Sequence, residues 1–254
     1  MSELFQESLT VMGNAFRRLE SQLDAPERIP YKDGFIFRFK EKGLPQALIQ
    51  KLARNITGLT AVDVLLTHGL SQEQGVIQRV LDEINEDIFF LAAAINTGVV
   101  TDKHEKFLAA FYDDPMFTAP TVAGRWNKPN LVPRKKVRAY VHETLSDDDN
   151  TSAALDAGEN LGTAYSGFVH VSSAHVMDMY GGNPARFHIK GMSETGRAAE
   201  FTRDAWNYFY RGLLATAAVA KVFGDGSLAT VLAEYISKFE KESGTNYLGD
   251  AAKA

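Results

Sequence analysis

Hydrophobic positions recur at helical spacing over almost the whole chain. Leu4, Phe5, Leu9, Met12, Phe16, Leu19 and Leu23 lie one, three or four residues apart and predict an amphipathic helix over 3–23, ended by Pro26 and Pro30. One run alternates instead: Phe35, Phe37 and Phe39 fall on one side and Ile36, Arg38 and Lys40 on the other, which predicts a short strand or an extended arm. Gly43-Leu44-Pro45 then opens a second helix over 45–68, striped by Leu48, Leu52, Ile56, Leu59, Val62, Leu65 and Leu66. Gly69 suits the position just past its end, and Ser71 with Glu73 and Gln74 starts a third helix, which Gly98 stops. So short a link makes the second and third helices pack antiparallel as a central hairpin.

Further on, a shorter helix is predicted over 101–113. Pro115, Pro120, Pro129 and Pro133 make 114–133 a long irregular connection. A short helix follows over 135–145. Ser146-Asp147-Asp148-Asp149-Asn150 then caps a long buried helix over 152–180, and Gly181-Gly182-Asn183-Pro184 ends it. After an extended piece at 186–192, helices over 194–223 and 227–242 complete the pattern, and 249–254 is expected to fray. The sum is a single all-α domain over 1–254: an up-down helical bundle with long hydrophobic helices, in which 1–44 supplies the N-terminal helix and a short extended arm.

Composition changes this picture little. Of the 254 residues 45% are hydrophobic and 23% charged, and the net charge of −5 argues against a surface wholly built for nucleic acid. There is no cysteine, which excludes disulfides and thiolate metal sites. No run nears the roughly 20 apolar residues that span a bilayer, and the N-terminus lacks a basic segment before an apolar one. A cytoplasmic protein without a membrane partner is expected.

The candidate chemistry begins at Ala164-Tyr165-Ser166-Gly167-Phe168-Val169-His170-Val171-Ser172-Ser173-Ala174-His175, where two histidines, a tyrosine and three serines interrupt an apolar pattern. A buried polar group without a partner costs about 1–3 kcal/mol, so the cluster implies an internal network or a site. His170 and His175 are five apart and on different flanks of a helix, a poor arrangement for a shared metal, and no metal or other cofactor is expected. On the third helix Arg79, Glu83 and Asp87 share one face beside the stripe of Val76, Val80, Ile84 and Ile88, either as a solvated face or with Arg79 and Glu83 turned inward as a pair. The segment Arg125 to Arg138 holds six cations, Trp126 and no acid. It is a candidate surface for RNA phosphates, with Arg125, Lys128 and Arg134 as cations and Trp126 as a stacking platform, or else a solvated loop balanced by Asp147 to Asp149.

Gly69-Leu70-Ser71-Gln72-Glu73, Arg79-Val80-Leu81-Asp82-Glu83 and Tyr165-Ser166-Gly167-Phe168-Val169-His170-Val171-Ser172 together resemble a bacterial all-helical family of unknown function, over 45–95 and 155–180. That resemblance implies that Arg79, Glu83, Ser166 and His170 converge between the third helix and the 152–180 helix. A more distant similarity is to HEPN bundles, several of which are ribonucleases of toxin and defence systems. Their signature, an arginine followed by a histidine after four to six residues, is not met: three residues separate Arg138 from His142, and seven separate Arg134 from it.

The expected function is therefore an unassigned helical module whose inter-helix pocket binds a small polar ligand or a protein partner. Arg79, Glu83, Ser166 and His170 are its centre, and Tyr165 and His175 lie beside it. A metal-independent HEPN-like ribonuclease, with His170 as base and Arg79 stabilising the phosphorane, is an alternative. A structural homodimer joined through Leu213, Leu214, Ala217 and Ala218 is another.

Overall fold

A computed structural model describes residues 1–114, 131–145, 165–193 and 195–245. The protein is an all-α bundle, and its elements follow the hydrophobic period closely. They are α1 (Ser2–Glu20), β1 (Glu27–Tyr31), β2 (Gly34–Arg38), α2 (Leu44–Thr67), α3 (Ser71–Thr97), α4 (Asp102–Phe111), α5 (Arg134–Leu145), α6 (Ser173–Met177), β3 (Tyr180–Gly181), β4 (Arg186–Phe187), α7 (Ala198–Val222) and α8 (Gly226–Ser243). Pro45 sits in the first turn of α2, where its missing N–H costs nothing, and Gly98 closes α3 in the left-handed conformation (φ 68°).

The expected arm is a β-hairpin. β1 and β2 pair antiparallel from Glu27 with Arg38 to Tyr31 with Gly34. Phe35 and Phe37 stay exposed on it, and the Arg28 guanidinium lies 3.5 Å from the Phe35 ring centroid.

Helix directions follow from which residues meet. Asn55 donates to Asn85, and Gly58 faces Leu81, so α2 runs against α3. Gln74 meets Phe201, while Asp82 meets Tyr208 and Arg211. Sequence numbers therefore rise together along α3 and α7, and the two are parallel. α1 runs against α8, since Phe5 stacks near Phe239 and Arg18 grips Asp225 with two hydrogen bonds of 2.6 and 2.7 Å. Asp225 also accepts from the Leu228 amide as the N-cap of α8, and that bond, with Arg18 and Ser227, holds its carboxyl below the usual range.

The interior has two apolar centres. Leu48, Leu52, Ile88, Leu91, Val219 and Leu232 form one, and Phe5, Met12, Trp206, Phe209 and Phe239 form the other. Gly212 lets α7 close on α2, because a Cβ there would sit 2.5 Å from the Leu59 side chain. Leu213 is wholly buried inside its own bundle, and Leu214 and Ala217 pack against the same core. Of the four residues expected at a homodimer interface, Leu213 is thus buried within the chain, while Leu214, Ala217 and Ala218 are half-buried.

α4 is pinned by one histidine. His104 is fully buried, stacked 4.1 Å from Phe90; its Nδ1 accepts from the Thr101 amide at 3.1 Å, and Nε2 lies 3.3 Å from the Phe90 carbonyl. Only the neutral ring with its proton on Nε2 satisfies both contacts. Burial accordingly lowers its pKa from the ordinary 6.5. Because the unfolded chain binds the proton more readily, this contribution to stability is complete above about pH 6.5 and is lost as pH falls below it. Urea midpoints at pH 7.5 and 5.5 should differ more in the native chain than in His104→Phe; equal differences would rule this histidine out as the source.

The largest departure from the sequence expectation is at 165–180; residues 152–164 of the expected helix lie outside the described residues. No continuous helix runs through the described part of the polar motif. Residues 165–169 are helical, Val171 takes a left-handed conformation (φ 55°), and the chain restarts as the short α6. Most of the segment is exposed or half-buried. The physical reason is local: Gly167 weakens the helical turn before the break, and Ser172, at the N-cap position of α6, turns its hydroxyl to the His175 ring instead of continuing a helix. Gly181 to Pro184, expected to stop a helix, instead connects β3 to β4, where Tyr180 pairs with Phe187.

Candidate functional site

The inner side of α3 carries a ladder of polar residues. Ser71, Gln74, Gln78, Asp82 and Asn85 are each 4% exposed or less, at helical spacings that keep them on one side. Such a stripe must be answered by partners from the elements packed on it.

Asp82 is answered most fully. It accepts from Tyr208 at 3.1 Å and forms an ion pair with Arg211, both from α7. Burial pushes the Asp82 carboxyl up, against the lowering pull of Arg211. Burial likewise pushes up the Tyr208 hydroxyl, with the Asp82 charge adding to the effect. Tyr165 completes the group, edge-on to Tyr208 with ring centres 5.9 Å apart, and its hydroxyl is pushed up to about 12, first by burial and then by Asp204. Tyr165 therefore belongs to an internal network.

The rest of the motif splits between packing and surface. Phe168 covers Gly75, where a Cβ would strike its ring at 2.6 Å. His175 is held by Ser172, Oγ to Nδ1 at 2.6 Å, and stands edge-on to Phe168, while its carbonyl accepts from Gln72 at 2.7 Å. These contacts fasten 165–177 to the first turns of α3. His170 is exposed, and among the described residues neither it nor Ser166 makes a side-chain hydrogen bond or ion pair.

Arg79 and Glu83 do pair, at 2.9 Å, with Arg79 mostly turned in and Glu83 44% exposed. The two alternatives for this face are thus each half realised. Among the described residues Arg79 Nη1 is buried without a hydrogen-bond partner, as is Gln78 Nε2. No hydrogen bond or ion pair joins Arg79 or Glu83 to Ser166 or His170 among the described residues.

Arg134, expected on a phosphate-binding surface, is engaged elsewhere. It contacts Glu86, Asp87 and the Glu83 carbonyl, and Arg138 joins Glu86 at 2.6 Å, so these cations dock α5 on α3. Both carboxylates raise the Arg134 pKa against its burial. Arg125, Trp126 and Lys128 lie outside the described residues.

What the polar ladder borders, at its lower end, is a cavity of about 210 Å³ lined by Leu66, Gly69, Ser71, Gln74, Met192, Ser193, Ala198, Phe201 and Thr202. Its walls come from the α2–α3 turn, residues 192–193 and the start of α7. Two glycines clamp these together. Gly69 (φ 67°) has Ser193 N where its Cβ would be, at 2.2 Å, and Gly191 (φ 107°) has the His68 carbonyl at 2.1 Å. Met192 N–H donates to the Gly69 carbonyl at 2.7 Å between them. Gln74 donates to the Phe201 carbonyl at 3.0 Å, but its Oε1, buried, has no hydrogen-bond partner among the described residues. Sequence reasoning passed over Gln74 and Gly69 as a cap and a helix stop; the signal for them was polar residues at 71, 74, 78, 82 and 85 in a helix otherwise apolar on that side.

A wider groove, about 1000 Å³, runs between the β-hairpin and the end of α4, past Phe37, Lys42, Phe111 and Tyr112. Its Arg38 is neutralised across the groove by Asp114 at 2.6 Å. Among the described residues no three His, Asp or Glu side chains gather as metal ligands, and no helix is long and apolar enough to cross a membrane. Comparison with protein-family models, curated proteins and solved structures finds no match to this chain.

Proposed function

We propose that the protein is a helical binding module whose inter-helix cavity, between the α2–α3 turn, residues 192–193 and the start of α7, takes a small polar ligand. The observation that carries this is the cavity itself: about 210 Å³, large enough for a few heavy atoms, bounded by three elements distant in sequence, with the buried Gln74 among its lining residues. The mixed lining supports the same reading, since Ser71, Ser193 and Thr202 alternate with Leu66, Met192 and Phe201, the usual make-up of a small-molecule site. The glycine clamp gives the cavity a fixed shape before any ligand arrives.

The reading places the site two to three turns nearer the N-terminus of α3 than Arg79 and Glu83. An amide-resolved NMR screen of small polar metabolites against the full chain tests it. Binders should shift the amides of Gly69, Ser71, Gln74, Ser193 and Thr202 as a group; a screen whose binders all act elsewhere, or that finds none, overturns it.

A further inference from the structure

The β-hairpin, far from the cavity, has an unfinished edge. Its two-residue turn, Lys32-Asp33, makes Tyr31 and Gly34 a hydrogen-bonded pair, and such pairs alternate along the register with non-bonded ones. Arg28, Pro30, Phe35 and Phe37 fall in the non-bonded pairs, so their backbone groups point away from the hairpin. On β1 that edge is blunted, because Pro30 has no N–H to offer. On β2 it is open. Phe35 and Phe37 make no backbone hydrogen bond beyond the hairpin among the described residues, and the Phe37 carbonyl accepts from the Arg38 side chain at 2.9 Å, which leaves it a second lone pair. The side chains are equally unfinished. Ile29, Tyr31 and Ile36 are half-buried on one face, while Phe35 and Phe37, 44% and 58% exposed, stand on the other, the face that an antiparallel hairpin commonly gives to polar residues.

The groove of about 1000 Å³ beside α4 follows this edge. Phe37 and Arg38 point to opposite faces of β2, yet both line it, which places the groove at the margin of the strand and not under one face alone. Phe39, Phe111 and Tyr112 give it apolar walls. Its charges are divided: Arg38, Lys40 and Lys42 lie on the hairpin side, Asp113 and Asp114 on the α4 side. Arg38 and Asp114 neutralise each other. Lys40 is only loosely matched, 4.0 Å from Glu27 with both side chains exposed, and Lys42 forms no ion pair among the described residues. The margin next to β2 is therefore positive.

We propose that β2 takes an extended acidic segment of a partner protein as a third strand. Main-chain hydrogen bonds to Phe35 and Phe37 supply the attachment. Alternate apolar side chains of the segment enter the groove against Phe39, Phe111 and Tyr112, and its carboxylates meet Lys40 and Lys42. A second copy of this chain fits less well, because 26–42 carries five cations and three acids and two such edges repel.

The test uses the full chain and capped heptapeptides, titrated while the amides of Phe35 and Phe37 are followed by NMR. A peptide of alternating valine and aspartate should shift both amides saturably. Its lysine-for-aspartate counterpart should bind about tenfold more weakly, and Lys40→Glu combined with Lys42→Glu should reverse that order. Only every second residue of a strand turns its N–H to a given neighbour, so single N-methyl groups on the aspartate peptide should abolish binding at alternate positions and spare it at those between. Equal effects at all positions would overturn strand addition, and a lysine peptide that binds as tightly would overturn the acidic partner. No shift at Phe35 and Phe37 with either peptide overturns the whole. A uridine hexamer that binds this edge more tightly than the peptides, or self-association of the free chain through it, would also overturn the proposal by giving the edge a different occupant.

Discussion

Asp82→Ala should destabilise the protein by about 3–5 kcal/mol, the cost of leaving a buried charge without its partner. Asp82 is 4% exposed and, among the described residues, is the carboxylate that forms an ion pair with Arg211, while Tyr208 loses its acceptor at the same time. The loss is therefore mainly one of stranded partners, a distinction that a second variant brings out. Asp82→Leu combined with Arg211→Met removes both charges and fills the space with apolar atoms, and it should recover much of the stability. Equilibrium urea unfolding of the two variants measures this. If Asp82→Ala falls by less than about 1 kcal/mol, Asp82 is not desolvated as described.

The second large effect is expected at the glycine clamp. Gly69 and Gly98 have nearly the same backbone conformation, with φ of 67° and 68°, but a Cβ on Gly98 meets nothing within 4 Å, whereas one on Gly69 meets Ser193 N at 2.2 Å. Gly98→Ala therefore carries conformational strain alone, about 1 kcal/mol. Gly69→Ala adds a backbone overlap that only separation of 191–193 from the α2–α3 turn relieves, which breaks the Met192 to Gly69 hydrogen bond and opens the cavity. We expect it to cost about 3 kcal/mol or more. Equal losses in the two variants would show that the close approach does not exist.

The long helices were legible because their apolar period of three and four is sustained over several turns, and α2, α3, α4, α7 and α8 begin and end within a few residues of their expected bounds, with Pro45, Gly69 and Gly98 marking three of those ends. The hairpin strand β1 was hidden by Pro30, whose presence demotes a strand reading, and only β2 showed its alternation. The 165–177 region misled because its residues fit a helical period well enough to outweigh Ser172 as a cap. For the proposed site, charge drew attention to Arg79, Glu83 and His170, while the polar residues that line the cavity are one amide, Gln74, and three hydroxyl side chains, Ser71, Ser193 and Thr202, beside Gly69. Their significance depends on 192–202 arriving from far along the chain, a contact that spacing along one helix does not encode. Tyr208 and Arg211 were missed as partners of Asp82 for the same reason.

The parallel course of α3 and α7 has a consequence for how the chain assembles. Parallel neighbours cannot be joined by a tight turn, and here about a hundred residues separate the end of one from the start of the other. Residues 1–97 can build their helical hairpins from nearby sequence, and so can 198–243, but joining the two requires closing a long loop, which is slow to find and gains nothing until it is complete. The cavity lies on that seam. A ligand held between Ser71 and Ala198 would bridge two segments distant in sequence, slowing their parting more than it hastens their meeting.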